Sequence, residues 1–395
     1  MSKNNLETLK KSSSNLNKII FILLIILTSI FWAFVFYAPI EYSLGEYQIT
    51  KDDSTYQNIT NIQLNYNAEM ASVNIEFVDN MHYILDSNWK QISSASFPYE
   101  PIEITFQETF LDNYTLEINV TSTGEGFFDS DWNMFYEFDI IIDNSYIIDF
   151  NSDVSYSQVN IEASNTEFGN FNLNSESGGI DVVFQDVYIE SSVNIFTVSG
   201  YTDFDIYDSN LTSEITFEGE SGALYILAYD SVFADINTQT SSGYTRLRGN
   251  RNNFNNVSLE TVSGYIDLDI GISNIQNIDL TSTSGYIELQ MHENILLGDI
   301  FISSSSGSVD CEFYEISFSS NRTFDINSNS GYVELFWDQE IIMNSSAIID
   351  IETISSAISV EISTLQENLD FERFVVYVSS DTGYTEVDIY EGDYF

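Results

Sequence analysis

Cysteine, proline, histidine and basic residues are all scarce in this chain. Its 395 residues include one cysteine, three prolines and two histidines, and 61 acidic residues against 11 basic ones give a formal net charge of -50. A single cysteine, Cys311, excludes an intrachain disulfide framework and a CxxC motif for zinc or redox chemistry. Because nucleic-acid binding needs a basic footprint, this charge predicts that nucleic acid is not a partner.

The N-terminal segment is the one strongly apolar and locally basic part of the sequence. Residues 1–18 carry four lysines against one glutamate, and residues 19–38 are an apolar run long enough to span a bilayer as a helix. By the positive-inside rule we expect a cytoplasmic tail (1–18), an uncleaved transmembrane signal anchor (19–38), a stalk (39–58) and an extracellular remainder, placing the protein at the cell membrane as a single-pass protein. A cleaved signal peptide is the alternative, but its apolar core is usually shorter and no clean cleavage site follows Ala38.

A Ser-Gly-Tyr pattern followed by alternating apolar residues recurs along most of the remaining chain. The intervals between copies are 21 to 27 residues, which is typical of solenoid repeats. The residue at the central position of each copy, called the Gly position below, is Ser155, Gly178, Gly200, Gly222, Gly243, Gly264, Gly285, Gly307, Gly331, Ser356 or Gly383.

Apolar residues alternate with polar ones on both sides of the Gly position. They stand seven and five residues before it, as Ile278 and Leu280 do, and two, four and six residues after it, as Ile287 and Leu289 do. The parity changes by one at the Gly position, so we expect the glycines to form a structural turn there. Hydroxyl residues three and one positions earlier are predicted to point inward and to bond to one another between coils.

These features predict an all-β fold, a parallel β-solenoid or β-helix with coils of about 21–27 residues, preceded by one transmembrane helix. We expect a regular solenoid over residues 151–395. Residues 59–150 are predicted to form either irregular coils of the same solenoid or a small separate β domain. The 86 residues between Glu69 and Ser155 are close to four coils, which favours a continuous solenoid.

The serial Ser-Gly-x-Ile/Val strand pairs behind an N-terminal membrane segment, such as Ser284 to Ile287, resemble the family of β-solenoid domains called putative adhesins. The resemblance covers residues 59–395. It implies a β-solenoid fold and a role in adhesion, and it implies no particular chemistry. The commoner form of the family has Asp after the glycine, whereas this chain has Tyr.

That tyrosine forms a column one residue after the Gly position, and we expect it to face outward. One interpretation is a binding platform for sugars or for a protein partner, and the other is a stabilising ladder of stacked rings. The candidate binding residues are Tyr201, Tyr244, Tyr265, Tyr286, Tyr332 and Tyr384.

Acidic residues fill the outward columns three and five residues after the Gly position. Like charges one coil apart repel each other, so bound calcium is a hypothesis, although the sequence has no EF-hand loop and predicts no other cofactor. The alternative is a solvated acidic face. The candidate metal ligands are Asp267, Asp269, Glu288, Asp310, Glu312 and Glu334.

The remaining reactive residue types predict structure more than chemistry. Arg246 and Arg248 are expected to pair with Asp267 and Asp269 of the next coil, in an ion ladder with Arg251 nearby. Cys311 falls in an apolar column and is expected in the core. His82 and His292 are isolated, so we expect no catalytic site and no enzyme activity.

The sequence therefore predicts a membrane-anchored extracellular β-solenoid for adhesion, surface display or partner recognition. The expected partners are the membrane and a surface glycan or protein. One alternative is a cell-envelope scaffold that self-associates end to end, since an open solenoid end can pair with another chain. Another is a carbohydrate-active β-helix enzyme, but coils of 21 and 22 residues leave no long loops to frame a groove.

Overall fold

A computed structural model describes residues 39–391 except residues 52, 69–71, 80–81, 95–102, 124–134, 157, 341, 356 and 371. The predicted tail and signal anchor, residues 1–38, lie outside the described residues. No helix within the described part of the chain is long and apolar enough to span a bilayer.

The described chain is almost entirely β-strand. The strands of the N-terminal part are β1 (Pro39–Thr50), β2 (Asn61–Ala68), β3 (Ser72–Val78), β4 (Tyr83–Ser94), β5 (Glu103–Phe110), β6 (Thr115–Thr123), β7 (Phe135–Asp143), β8 (Ile147–Tyr156) and β9 (Val159–Ser164). The strands of the following coils are β10 (Glu167–Gln185), β11 (Tyr188–Tyr207), β12 (Asn210–Leu211), β13 (Ile215–Tyr229), β14 (Val232–Asn250), β15 (Asn253–Gly271), β16 (Asn274–Ser284), β17 (Tyr286–His292), β18 (Ile295–Leu296), β19 (Ile300–Ser306), β20 (Val309–Tyr314), β21 (Arg322–Ser328), β22 (Tyr332–Gln339), β23 (Ala347–Thr353), β24 (Ala357–Thr364), β25 (Phe374–Ser380) and β26 (Thr385–Glu391). One short helix, α1 (Gln366–Asp370), lies between β24 and β25.

Successive coils stack in parallel with equivalent residues in register, which confirms the predicted all-β parallel β-solenoid. Phe171 of β10 faces Val193 of β11, and Gly243 of β14 faces Gly264 of β15. The apolar residues on both sides of the Gly position point inward and form one hydrophobic core along the stack. Full burial of such a side chain contributes about 1.5–3 kcal/mol, so the two alternating patterns specify the fold.

The position of Cys311 confirms the prediction that this residue lies in an apolar column of the core. It lies between Leu289 and Leu335 in adjacent coils and has no exposed surface. Burial raises the pKa of the Cys311 thiol, so the group stays protonated and behaves as a small apolar side chain.

The Gly position is a tight bend where the backbones of adjacent coils approach each other. Gly222 has a φ of +132°, and a Cβ atom on it would lie 1.9 Å from the carbonyl oxygen of Gly200. Gly285 lacks the positive φ, but its Cβ would lie 1.8 Å from the carbonyl oxygen of Gly264. The predicted turn glycines therefore satisfy a positive φ, a close approach or both, and they are Gly178, Gly200, Gly222, Gly243, Gly264, Gly285, Gly307 and Gly331. Gly383 lies in the bend between β25 and β26.

A second turn, which the sequence pattern did not reveal, lies eight residues after the Gly position. The residue there adopts a left-handed φ of 48° to 57° in seven consecutive coils. Asp tolerates this conformation, but a β-branched residue such as Ile272 is strained in it. The seven residues are Asp186, Asp208, Asp230, Arg251, Ile272, Glu293 and Glu315.

A buried polar ladder supports this second turn. The Ser231 N–H donates to Asn252 Oδ1 (2.9 Å), the Asn252 N–H donates to Ser273 Oγ (3.0 Å), and the Ser273 N–H donates to Asn294 Oδ1 (2.9 Å). Each side-chain oxygen therefore accepts a hydrogen bond from a backbone N–H in the turn of the preceding coil.

The predicted ladder of hydroxyls before the Gly position is wrong. Thr261, Ser282 and Ser304, three residues before it, are buried, but within the described chain their hydroxyls have no hydrogen-bond partner. Equivalent residues lie ~4.8 Å apart, which exceeds the reach of one hydroxyl to another. Ser284, one residue before the Gly position, is exposed and donates to the Val262 carbonyl of the preceding coil (3.3 Å).

The order of the N-terminal coils differs from the order of the chain. Ile62 of β2 faces Ile148 of β8 on one side and Leu116 of β6 on the other. The coil of β2 and β3 is thus sandwiched between the coil of β6 and β7 and the coil of β8 and β9. The coils within the 86-residue interval therefore do not stack in chain order.

Antiparallel strands cover the outer side of the β6 and β7 coil. β5 pairs antiparallel with β6, β4 pairs antiparallel with β7, and β1 pairs antiparallel with β4. An ion pair between Lys51 and the fully buried Asp143 joins the end of β1 to the end of β7. The antiparallel strands remove the open parallel edge at this end.

The opposite end of the stack ends in β25 and β26. These strands pair with β23 and β24, and no other described strand pairs with them. Val387 and Ile389, in columns that are buried elsewhere, are 41% and 40% exposed here. The last described coil therefore presents apolar side chains and unpaired backbone groups.

Replacing Gly219 with Ala is expected to stabilise the protein. Gly219 stands in the hydroxyl column three residues before Gly222 and borders a cavity of about 20 Å³, and a Cβ on it would meet no atom closer than 3.6 Å. Removing a glycine from a strand interior should raise the free energy of unfolding by about 0.5–1 kcal/mol, measured by denaturant titration. The matched control Gly222→Ala should lower it by at least ~2 kcal/mol, because its Cβ meets the Gly200 carbonyl oxygen. Equal effects at the two positions would contradict this account of the bend.

Replacing Ile272 with Asn is also expected to stabilise the protein. Ile272 is 52% exposed and has a φ of 48°, so Asn removes left-handed strain while losing little burial. We expect a gain of about 1 kcal/mol in the free energy of unfolding. Ile295→Asn is the control, because Ile295 is similarly exposed (47%) but lies in a strand and is not among the residues with positive φ. A gain at Ile295 as large as that at Ile272 would show that surface polarity, and not strain, is responsible.

Candidate functional site

The candidate site is the outward face of the sheet formed by the strands that follow the Gly position. Inward residues there stand two, four and six positions after the Gly position, so residues one, three and five positions after it face solvent. The parallel register aligns these residues in columns along the stack. We call this surface the tyrosine-acidic face.

Three of the predicted tyrosines form a closed ladder. The rings of Tyr244 and Tyr265 are 5.0 Å apart at an interplanar angle of 11°, and those of Tyr265 and Tyr286 are 5.0 Å apart at 14°. All three side chains are half-buried. Because neighbouring rings cover both faces of Tyr265, this part of the column has the geometry of a stabilising ladder.

The ladder is held by hydrogen bonds from each phenol to a carboxylate of the next coil. Tyr244 donates to Asp267 Oδ2 (2.6 Å), Tyr286 donates to Asp310 Oδ2 (2.9 Å), and Tyr265 donates to Glu288. Burial, followed by the hydrogen bond to the carboxylate, raises the pKa of Tyr244 and that of Tyr286 above the ordinary range. Tyr244 and Tyr286 therefore remain protonated donors, and their bonds to the carboxylates are charge-assisted.

The other three predicted tyrosines stand apart from the ladder. The ring of Tyr201 lies over Gly179, whose Cβ would be 2.5 Å from Tyr201 Cζ, and its hydroxyl donates to Asp181 (3.1 Å). Tyr332 is 39% exposed, and Tyr384, in the last coil, is 65% exposed. The six tyrosines therefore form one ladder and three separate rings instead of a single continuous platform.

The arginines form the predicted ion ladder. Arg246 Nε lies 2.7 Å from Asp267 Oδ2, and Arg248 Nε lies 3.9 Å from Asp269 Oδ2. The Arg246 guanidinium also lies 4.9 Å from the centre of the Tyr244 ring. Asp267 is only 6% exposed and is bound by both Tyr244 and Arg246, so it is occupied by protein groups.

Arg251 departs from that pattern because it turns to the preceding coil. It binds Asp230 through two nitrogens, with Nε–Oδ1 and Nη2–Oδ2 distances of 2.6 Å and 2.5 Å. Both side chains are substantially exposed, so the pair contributes little to stability.

The remaining acidic candidates, Glu288, Asp310, Glu312 and Glu334, follow one another along the next three coils. Burial, and then repulsion by the neighbouring Asp310, raises the pKa of Glu288 and that of Glu334. In the described ranges, no three metal-ligating side chains converge closely enough to hold an ion. Melting curves with calcium and with chelator test the calcium hypothesis, and identical curves would remove it.

The acidic columns are interrupted at the Gly222 coil. The outward residues there are Tyr225, Leu227 and Tyr229, without a charge. The rings of Tyr207 and Tyr229 are stacked, with centroids 5.9 Å apart and an interplanar angle of 2°. A similar pair, His292 and Tyr314, stacks at 4.6 Å. Both pairs stand seven residues after the Gly position, a column that the sequence analysis did not read.

No family model matches the sequence, and no curated protein matches it. The chain is similar to a crystal structure described as a "putative cell adhesion protein" from Clostridium sporogenes, with 12% sequence identity over 59% of this chain and 99% of that chain. The TM-score is 0.30. A likeness this distant assigns neither a fold nor a function.

Mild acidification is expected to stabilise the protein. The pKa values of Glu288, Glu334, Asp203 and Asp205 are all raised, with burial as the first cause. A carboxyl group with a raised pKa binds protons more readily in the folded state, so the free energy of unfolding rises as the pH falls from 7 through the raised pKa values toward the unfolded value of ~4.3.

The melting temperature should therefore be higher at pH 5 than at pH 7.5. The double variant Glu288→Gln/Glu334→Gln should flatten this dependence, and added salt should weaken it by screening the repulsion. A melting temperature that falls between pH 7.5 and 5 in the natural chain would contradict the predicted direction.

Proposed function

We propose that this chain is a membrane-anchored extracellular β-solenoid that acts in adhesion, surface display or partner recognition, without catalysis. The observation that carries the proposal is the tyrosine-acidic face. Its aromatic and carboxylate side chains stand at fixed intervals on a sheet whose backbone is paired coil by coil. A surface of this kind suits repeated contacts with an extended partner.

The rigidity of the face supports a role in binding. The stacked rings and the phenol-carboxylate bonds hold the outward side chains in place before any partner arrives. Binding then immobilises few additional side chains, which reduces its entropic penalty. Tyr and Arg, both present on the face, are enriched, with Trp, among the residues that dominate interface energetics.

The anchoring part of the proposal rests on the sequence of residues 1–38. Four lysines precede the apolar run of residues 19–38, and acidic residues follow it. This asymmetry favours a cytoplasmic N-terminus and an extracellular solenoid. A high negative charge also keeps a long exposed rod soluble outside the cell.

A cell-envelope scaffold is a second candidate, favoured by the last described coil. Val387 and Ile389 are exposed there, and the outer backbone groups of β25 and β26 have no partner strand in the described chain. Such an edge is suited to pairing with another copy of the chain. Light scattering over a range of protein concentrations distinguishes the candidates, because a scaffold assembles without an added partner.

The proposal predicts that the full-length chain, expressed in bacteria, stays in the membrane after alkaline carbonate extraction. It also predicts that protease added outside the cell membrane digests the solenoid. Leu24→Arg/Leu27→Arg should release the chain, because each charge at a helix centre costs about 2.5–3.5 kcal/mol on insertion scales. Leu24→Ala/Leu27→Ala is the matched control and should remain anchored.

The recognition part is tested with the same cells on arrays of glycans and matrix proteins. Cells displaying the natural chain should bind at least one surface that cells displaying an unrelated anchored domain do not bind. A correctly exposed chain that binds no cell, glycan or protein surface would overturn the recognition role.

A further inference from the structure

The tyrosine column changes its pattern after the closed ladder. From Tyr286 onward, aromatic and small residues alternate: Tyr286, Ser308, Tyr332, Ala357 and Tyr384. The strand registers place these residues one coil apart, because Ile287 faces Val309, Val309 faces Val333, and Tyr332 faces Ala357. Each small residue therefore separates two tyrosines that stand two coils apart.

The width of the first gap follows from the ladder itself. Adjacent rings in the ladder are 5.0 Å apart, so the ladder spacing predicts about 10 Å along the stack for two rings separated by one small residue. Carbon atoms in contact lie at about 3.5–4.0 Å, so a planar guest needs only about 7–8 Å between two walls. A puckered saturated ring is thicker and fills the gap better than a planar aromatic ring.

Polar groups at the gap can receive hydroxyls. Ser308 occupies the column position between the two tyrosines, and Asp310 of the same coil accepts the Tyr286 hydroxyl through Oδ2 (2.9 Å), which leaves its other oxygen as an acceptor. Glu334, in the Tyr332 coil, is exposed. These groups combine an apolar wall with hydroxyl acceptors, as a sugar ring requires.

The charge of the surroundings selects a neutral guest. The outward residues three and five positions after the Gly position in these coils are Glu288, Gln290, Asp310, Glu312, Glu334 and Phe336. None is basic, and burial followed by repulsion from Asp310 raises the pKa of Glu288 and of Glu334. An anionic sugar would add to that repulsion.

We propose that the gap at Ser308, between Tyr286 and Tyr332, binds one pyranose ring of a neutral glycan. The inference rests on the proposed recognition function and names its ligand class. The earlier interruption at Ala223 does not offer the same space, because the ring of Tyr225 lies 5.5 Å from that of Tyr244. The gap at Ala357 repeats the arrangement between Tyr332 and Tyr384.

The test is calorimetric titration of the purified full-length chain in detergent with cellohexaose, maltohexaose, mannohexaose and hexagalacturonate. At least one neutral hexasaccharide should bind, and hexagalacturonate should bind more weakly. Ser308→Tyr should weaken binding about tenfold or more, because it fills the gap with a further ring. The same change extends the ladder, so the melting temperature should stay equal or rise.

Tyr332→Ala removes one wall and should weaken binding to a similar extent. Tyr156→Ala is the matched control, because Tyr156 is a 52% exposed tyrosine of the same column far from the gap, and its loss should leave binding unchanged. Unchanged binding by a folded Ser308→Tyr variant would overturn the proposed gap while leaving the recognition function in place. Failure to bind any neutral hexasaccharide, or tighter binding of hexagalacturonate, would overturn the ligand class, whereas the array experiment tests recognition separately.

Discussion

Every part of this structure depends on parallel stacking of coils in register at ~4.8 Å. The register places equivalent positions of adjacent coils side by side. A residue type that repeats in a column must therefore pack against the same residue type in the next coil. Aliphatic and aromatic columns gain contacts from this arrangement, as the Tyr244–Tyr265 pair does. Asn side chains reach the next coil, as in the bond from Asn172 Nδ2 to Asn151 Oδ1 (2.9 Å). Equivalent hydroxyls are too short to reach one another across ~4.8 Å, and like charges repel.

The acidic columns show how the chain accommodates that repulsion. A phenol hydroxyl from one coil binds the carboxylate of the next, as Tyr244 binds Asp267, and Arg246 adds a positive charge at the same carboxylate. Where arginine is absent, as around Asp310 and Glu334, the repulsion persists, and burial together with this repulsion raises the pKa of Glu334. The tyrosine and acidic columns are therefore one structural unit, which the sequence analysis had treated as two separate candidate sites.

The sequence periodicity predicted those features of the fold in which the same type of side chain recurs in every coil. Columns such as the one containing Ile278 and Leu280 repeat apolar residues, so the strands, the core position of Cys311 and the bend at glycines like Gly285 could be predicted. The second turn could not, because its left-handed position holds Asp, Arg, Ile or Glu and shares a conformation instead of a side chain. The N-terminal coil order was also hidden, since sequence spacing does not show that β2 is inserted between β6 and β8.

The candidate site was only partly predictable for a related reason. The column of tyrosines was evident from the sequence, but the role of each tyrosine depends on which residue occupies the same column in the adjacent coils. A tyrosine between two tyrosines, such as Tyr265, has both faces covered and stabilises the stack. Tyr332 stands between Ser308 and Ala357, so both of its faces lie beside small residues, and it is 39% exposed. A complete ladder of stacked rings favours stability, whereas binding requires an interruption in the ladder. At the small residues of the column the solenoid therefore lacks the stabilising ring stacking but exposes an aromatic surface.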